Sequence, residues 1–242
     1  MNARRAWLIV SLLLVTFSLQ AVTTNDPVTA EREGRELAQK LRNARPNANF
    51  TNSGKILILK PKKKQRSTVQ FNSRVVVTET NWTSFYEASD GTNNLSTFSV
   101  EHLTDAPSHY HLGCTNLLDA SQTTLPFAGS DFWLADLGLE FFHWPVQLLT
   151  RKELERGEAC SVLESRNPSP PPGAYSRVVS WIDNDTAGIL LAEAYDAKGK
   201  LLKEFRPTEF EKVNGEWQLS EIEMKNVQTG SRSILTFDFK SP

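Results

Sequence analysis

Apolar and polar residues alternate along most of this chain with the period of two that half-buried β-strands show. In residues 68–80, Val69, Phe71 and Val75 fall on one face and polar residues fall on the other. Similar runs predict further strands at 83–88, 95–103, 175–182, 189–195, 201–205, 210–213, 216–227 and 233–239. Glycine-containing turns such as 196–199 and Asn214-Gly215 separate these short runs, which predicts an antiparallel meander.

Two stretches near the N-terminus depart from simple alternation. Residues 55–60 read K-I-L-I-L-K, which is too apolar for a one-sided strand and predicts burial on both faces. Asp26-Pro27 is typical of a helix start, and the segment to about Asn43 predicts a short amphipathic helix. Val28, Leu37, Ala38 and Leu41 form its expected apolar face.

Residues 126–144, called the aromatic segment below, have neither a clean period of two nor one of 3.6. Gly129, Gly138 and Pro145 would interrupt a long helix within the irregular region from 125 to 150. We therefore expect short helical turns that lie against the sheet, with Ser130 or Asp131 as a helix cap.

The aromatic segment is unusually apolar, and its large side chains either fill the core or surround an apolar ligand. Both interpretations hold together if the segment fills an open half-barrel in the absence of ligand. The residues expected to line or cap such a cavity are Phe127, Phe132, Trp133, Leu137, Phe141, Phe142 and Trp144.

The first 21 residues have the features of a secretory signal: Arg4 and Arg5, an apolar core, and small residues before position 22. We expect a signal peptide at 1–21 and a single domain at 22–242, periplasmic or secreted and soluble after cleavage; an uncleaved anchor remains an alternative. Without the two leader arginines, the 27 basic residues fall to 25 against 28 acidic ones, a net charge of −3. This balance argues against nucleic acid as a partner.

Two features have both a functional and a structural interpretation. Cys114 and Cys160 could form a disulfide in an oxidising compartment, or Cys160 could be a small buried residue on a strand. Lys62, Lys63 and Lys64 could dock on a membrane or a partner, or they could be a solvated hairpin tip that discourages edge pairing.

Catalytic and metal motifs are weak in this sequence. Ser130 and His143 lack the G-x-S-x-G context of a nucleophile elbow, so a cap is the better explanation for Ser130. His109 and His111 are two residues apart but lack the further ligands that zinc needs. We expect no enzyme activity, no metal and no cofactor.

Four motifs in order give the chain a resemblance to a known family. They are FAGSDF at 127–132 with Asp136, CSVLE at 160–164, YSRVVSWID at 175–183 and AYDAKGKLLK at 194–203. With about residues 50–239, the chain resembles the outer-membrane lipoprotein-sorting proteins, the LolA/LolB-like periplasmic carriers. The resemblance implies a mainly β fold with a few helices, in which a curved antiparallel sheet forms an incomplete barrel covered by short helices.

The resemblance also implies a function without catalysis or cofactor. The expected role is carriage or acceptance of a lipoprotein or another acylated lipid in an apolar cavity, with an inner-membrane transporter as a possible partner. The alternative is a non-catalytic envelope module that docks on a membrane transporter or a stress sensor.

Overall fold

A computed structural model describes residues 22–23, 26–91, 95–104, 106–113, 116–213 and 216–239. Every strand of this part of the chain belongs to one antiparallel sheet, in the order β1-β8-β9-β10-β11-β12-β13-β14-β2-β3-β4-β5-β6-β7. The sheet is curved and its two edges do not meet, so it forms an incomplete barrel, as the sequence predicted. The predicted signal peptide lies outside the described residues.

The strands are short to medium in length, and most are joined to the next by a tight turn. Their bounds are β1 Val22–Thr23, β2 Phe50–Lys60, β3 Gln65–Val77, β4 Asn81–Ser89, β5 Leu95–Leu103, β6 His109–Leu112, β7 Asn116–Leu117, β8 Val146–Glu155, β9 Glu158–Arg166, β10 Arg177–Asp183, β11 Ile189–Tyr195, β12 Leu201–Val213, β13 Glu216–Asn226 and β14 Arg232–Asp238. The α-helices are α1 Pro27–Arg42 and α2 Leu134–Leu137. Single 3₁₀ turns span Pro61–Lys63, Gln122–Thr124, Phe127–Gly129 and Glu140–His143.

Helix α1 confirms the predicted helix start, because the Asp26 carboxylate accepts hydrogen bonds from the N–H groups of Val28 and Thr29, each at 3.2 Å. Its buried face differs in part from the prediction. Val28 is 76% exposed, and the fully buried positions are Ala30, Gly34 and Ala38. These small residues recur every four positions, so they bring the helix axis close to β8.

The interpretation of residues 55–60 as buried on both faces is wrong. Ile56 and Ile58 are buried, but Leu57 and Leu59 are only half-buried. The helices and turns cover the inner face of the curved sheet here, so an apolar run of this length alternates between core and partial exposure.

Strand β12 also corrects a prediction, since it joins the two separate strands expected at 201–205 and 210–213. Pro207 cannot donate a ladder hydrogen bond, which is why the sequence indicated a break. The structure keeps the strand continuous by shifting the register between Pro207 and Glu209 and again before Phe210.

Buried apolar residues form two clusters on the inner face of the sheet. The first joins strands β2 to β5 with β13 and β14, and includes Ile56, Phe71 and Phe98. The second joins α1 with β9 to β11, and includes Ala38 and Val178. The aromatic segment contributes to both clusters. No helix of the described residues is long and apolar enough to cross a membrane.

Candidate functional site

The aromatic segment lies across the inner face of the half-barrel as a 3₁₀ turn, the four-residue helix α2 and a second 3₁₀ turn. These are the short helical turns that the sequence predicted. The irregular region ends earlier than predicted, because β8 already begins at Val146. Of the two predicted cap residues, Ser130 is the C-cap of the first 3₁₀ turn. The N-cap of α2 is Trp133, whose N–H donates to the Asp136 carboxylate at 2.7 Å.

The front half of the aromatic segment, residues 126–137, enters the first core cluster. Phe127 and Phe132 are each 2% exposed and pack there beside Leu134. The Phe127 ring meets the rings of Phe71 and Phe98 at centroid distances of 6.2 and 5.5 Å. Leu137 is partly buried against the same cluster.

The back half, residues 138–144, enters the second core cluster. Phe141 and Phe142 are buried there, and Trp144 is partly buried against them. Gln147 of β8 donates hydrogen bonds to the carbonyl oxygens of Phe141 and Trp144, at 2.9 and 3.0 Å. The seven predicted cavity residues therefore belong mainly to the two apolar core clusters of the protein itself.

A buried ammonium group holds the front half to the sheet. Lys203 of β12 is 1% exposed, and its Nζ donates to the carbonyl oxygen of Asp131 at 2.6 Å and to the Asp136 carboxylate at 3.3 Å. The same Nζ lies 3.6 Å from the centroid of the Trp133 ring, which also stacks on Tyr175 at 4.4 Å. Burial lowers the pKa of Lys203 to about 8, although the nearby carboxylates act in the opposite direction.

A second buried polar contact joins the front half to β14 and the turn before it. The Asp131 carboxylate accepts hydrogen bonds from the Ser231 hydroxyl at 2.6 Å and from the Ser233 hydroxyl at 2.8 Å. The Ser233 hydroxyl in turn accepts from the Asp131 N–H at 2.8 Å. We call Asp131, Asp136, Tyr175, Lys203, Ser231 and Ser233 the polar cluster.

Behind the aromatic segment the interior is nearly filled. A small apolar cavity of about 20 Å³ remains between the aromatic segment and strands β10 to β13. That volume is close to the space for one water molecule, so an acyl chain enters only if the aromatic segment moves.

A larger open cavity of about 380 Å³ adjoins the back half on its other side. Apolar and aromatic side chains dominate its lining, including Trp82, Leu139, Phe142, Ile189 and Phe205. Leu139, Ile189 and Phe205 also line the small cavity, so the two spaces share a wall.

Leu139, the second residue of the back half, has a φ of +50°. A side chain with a Cβ costs about 1–2 kcal/mol in this left-handed region. The backbone is therefore under strain at the point where the polar contacts of the front half end.

Several buried titratable groups surround the back half. Burial raises the pKa of Glu140 to about 7. Within the described residues, neither the Tyr110 hydroxyl nor Oε2 of Glu140 has a hydrogen-bond partner. Burial lowers the pKa of both His102 and His143 to about 4.

The remaining candidates from the sequence have structural roles. The Ser130 hydroxyl is buried and donates to the Phe127 carbonyl oxygen at 2.6 Å, whereas Nε2 of His143 lies 3.4 Å from the Ser108 hydroxyl. Cys160 is a free, buried thiol on β9, the structural alternative to a disulfide, while Cys114 lies outside the described residues. Among the described residues, no His, Cys, Asp or Glu side chains form a group that could hold a metal ion.

The three lysines predicted to dock on a membrane or a partner do not all line the same cavity. Lys62 and Lys63 line an open cavity together with Lys60, which belongs to the same basic run at 60–66. Lys64 follows the 3₁₀ turn with a φ of +50° and does not contribute to that lining.

The polar cluster is the part of the site that sequence analysis missed. Its two aspartates, Tyr175 and Lys203 all lie in the motifs that carry the family resemblance, but the motifs alone do not bring them together. Lys203 gives a further signal, since it is a charged residue at an inward position of an alternating strand, between Leu201 and Phe205. Its partner Asp136 lies 67 residues away along the chain, so no local pattern connects the two.

Comparison with solved structures identifies the fold. A domain from Vibrio parahaemolyticus assigned as an outer membrane lipoprotein-sorting protein has a TM-score of 0.71 and 20% identity, covering 86% of this chain and 92% of its own. A DUF1329 family protein from Desulfovibrio piger has a TM-score of 0.69 and 19% identity, covering 86% and 91%. A LolA superfamily protein from Nitrosomonas europaea has a TM-score of 0.59 and 18% identity, covering 88% and 94%. The protein therefore has the LolA-like fold that its sequence predicted.

The family assignment rests on the sequence. A family model with the description "-like: Uncharacterized protein" matches residues 112–240, more than half of the chain. The chain belongs to this family. Comparison with curated proteins gives no significant match.

Proposed function

We propose that this protein is a periplasmic, non-catalytic carrier or acceptor of a lipoprotein or another acylated lipid, which it binds inside the half-barrel. The observation that carries the proposal is the open apolar cavity of about 380 Å³, which shares a wall with the interior. The acyl chain would lie first in the open cavity and then replace the back half of the aromatic segment. The similar Vibrio protein, assigned to lipoprotein sorting, supports the same class of ligand.

The energetics favour such an exchange. Burial of an acyl chain gains about 0.8 kcal/mol per CH₂, so a sixteen-carbon chain gains on the order of 10 kcal/mol. The back half loses the burial of Phe141 and Phe142 when it moves, at about 3 kcal/mol for each side chain. The ligand therefore supplies enough free energy to displace the back half while the polar cluster keeps the front half in place.

Release requires an acceptor that competes for the acyl chain, because nothing about carriage itself supplies energy. An inner-membrane transporter as donor and an envelope acceptor would fit a carrier of this kind. The identities of both partners are part of the proposal.

The test uses Leu139, which lines both cavities. In L139D the backbone is favourable, because aspartate tolerates the left-handed region better than leucine does. The carboxylate, however, places a charge on the route of the acyl chain. We expect at least a tenfold loss of affinity for a fluorescent sixteen-carbon acyl probe, measured by titration.

The matched control is L154D, since Leu154 is 58% exposed on β8 and receives the same charge outside the cavities. This variant should bind the probe as the unaltered protein does. Native mass spectrometry of the protein after mild extraction should show a bound lipid. Repeated absence of lipid, or equal affinities of the two variants, would refute the proposal.

A further inference from the structure

A second open cavity, of about 400 Å³, lies at the other end of the front half. Three lysines line it: Lys60 at the end of β2, and Lys62 and Lys63 in the 3₁₀ turn that follows. The opposite walls come from residues 126–131 of the aromatic segment and residues 226–231 between β13 and β14. The cavity is therefore built by three separate parts of the chain.

These walls are tied to one another. Nζ of Lys62 donates to the carbonyl oxygen of Gln228 at 3.3 Å, and the Ser231 hydroxyl donates to the Asp131 carboxylate at 2.6 Å. A lysine ammonium has three N–H donors, so this one bond leaves two of them for a ligand. The contact holds the lysine turn over the cavity and does not neutralise its charge.

The charge in the cavity is positive on balance. Among the described residues, no carboxylate forms an ion pair with Lys60, Lys62 or Lys63. Asp131 also lines the cavity, but its two carboxylate oxygens accept the hydroxyls of Ser231 and Ser233. An anion is therefore attracted to the lysine side, with the polar residues 226–231 opposite it.

We propose that this cavity binds the phosphate of an anionic phospholipid head group and so seats the front half of the aromatic segment on the membrane surface. The chain without its leader has 25 basic and 28 acidic residues, so overall charge does not draw it to an anionic membrane. Attraction must come from a local site, and this cavity concentrates three lysines that form no ion pair within the described part of the chain. Lys64 and Arg66 continue the basic surface beyond the cavity.

Membrane docking is separate from acyl-chain carriage, and it can be tested without an acylated ligand in the interior. We would compare binding to phosphatidylcholine vesicles with binding to vesicles that contain about one-third phosphatidylglycerol. The unaltered protein should sediment with the anionic vesicles only. The variant K60Q/K62Q/K63Q should bind them about 100-fold more weakly, since each basic residue near such a surface contributes about a factor of five.

The control variant K40Q/K152Q/K212Q makes the same change in net charge at three exposed lysines that do not line the cavity. It should keep binding within about twofold of the unaltered protein, because distant charges are screened. Equal losses in the two variants would show diffuse attraction and overturn the proposed site.

A titration followed by NMR distinguishes the lipid from a free ion. Glycerol 1-phosphate should shift the amide signals of Gly129, Asp131 and Thr229, on the two walls opposite the lysines. Shifts confined to Lys62 and Lys63 would contradict the cavity. Saturation by inorganic phosphate without any binding to anionic vesicles would assign the site to the free ion and overturn membrane docking.

Discussion

The two halves of the aromatic segment are held in different ways. The front half is fixed by the buried polar cluster, in which Lys203 and Ser233 reach Asp131 and Asp136 from two strands. The back half is held by apolar contacts of Phe141 and Phe142, and its carbonyl oxygens accept from Gln147 and Arg42. Buried hydrogen bonds and ion pairs demand fixed geometry, whereas another apolar group can replace apolar contacts.

This difference indicates which half can exchange with a ligand. An acyl chain can replace the apolar contacts of the Phe141 and Phe142 rings. It cannot replace the Lys203 ammonium group, which contacts the Asp136 carboxylate and the Trp133 ring. The strained backbone at Leu139 lies at the boundary between the halves. We therefore expect the front half to remain in place while the back half moves.

The largest expected effect comes from removing the buried charge of the polar cluster. K203M leaves the Asp136 carboxylate buried without its cation, which should lower the free energy of unfolding by about 3–5 kcal/mol. Urea denaturation measures this loss as a shift of the midpoint. The result would make the front half as easily displaced as the back half.

The control for K203M is K225M, which breaks the partly exposed Lys225–Glu204 pair on neighbouring strands. That pair should contribute at most about 1 kcal/mol. Similar losses in both variants would contradict the assignment of a special role to Lys203.

An intermediate effect should appear in the pH dependence of the back half. Burial places the pKa of Glu140 at about 7, above the 4.5 expected in the unfolded chain. The folded state then binds more protons between these values, so the stabilising contribution is complete below pH 4.5 and is lost as the pH rises through 7. We expect the loss to be about 3 kcal/mol, since each pKa unit corresponds to about 1.4 kcal/mol.

The comparison with E140Q isolates this contribution. His102 and His143 have folded pKa values of about 4, so protonation of the unfolded chain makes the free energy of unfolding rise with pH between 4 and 6.5. That opposite slope is common to both proteins and cancels in their difference. A difference that stays constant from pH 4.5 to 7.5 would show that Glu140 does not titrate in this way.

The smallest expected effect compares two buried serines. S233A removes the hydroxyl that serves both the N–H and the carboxylate of Asp131, and should cost about 1.5 kcal/mol in thermal or urea unfolding. Ser180 on β10 is equally buried, but its hydroxyl has no partner among the described residues. S180A should therefore be neutral or slightly stabilising, and a larger loss in S180A than in S233A would contradict the role of the polar cluster.

Local patterns were sufficient for most of the sheet. The run 95–103 was predicted with the same bounds as β5, and 189–195 with those of β11, because each alternates cleanly between turns. Pro207 misled the prediction for β12, since the register shifts that accommodate it depend on the neighbouring strand β13. In β2, Leu57 and Leu59 led to a prediction of too much burial, because the sequence does not distinguish a half-exposed leucine from a buried one.

The candidate site was only partly predictable. The aromatic composition of residues 126–144 correctly drew attention to the segment that covers the half-barrel. The division into two halves depends on the contacts of Lys203 with Asp131 and Asp136, which lie about 70 residues before it in the chain. The same holds for Lys60, whose place beside Lys62 in a cavity depends on the turn before β14.

Gly34 of helix α1 packs directly on Gln147 of β8, and Gln147 in turn contacts the aromatic segment. A Cβ added at Gly34 would lie 2.5 Å from the backbone oxygen of Gln147, so the helix touches the strand with no side chain between them. The side chain of that same Gln147 holds the carbonyl oxygens of Phe141 and Trp144. A partner protein that displaces helix α1 would therefore also displace Gln147, and with it the back half of the aromatic segment.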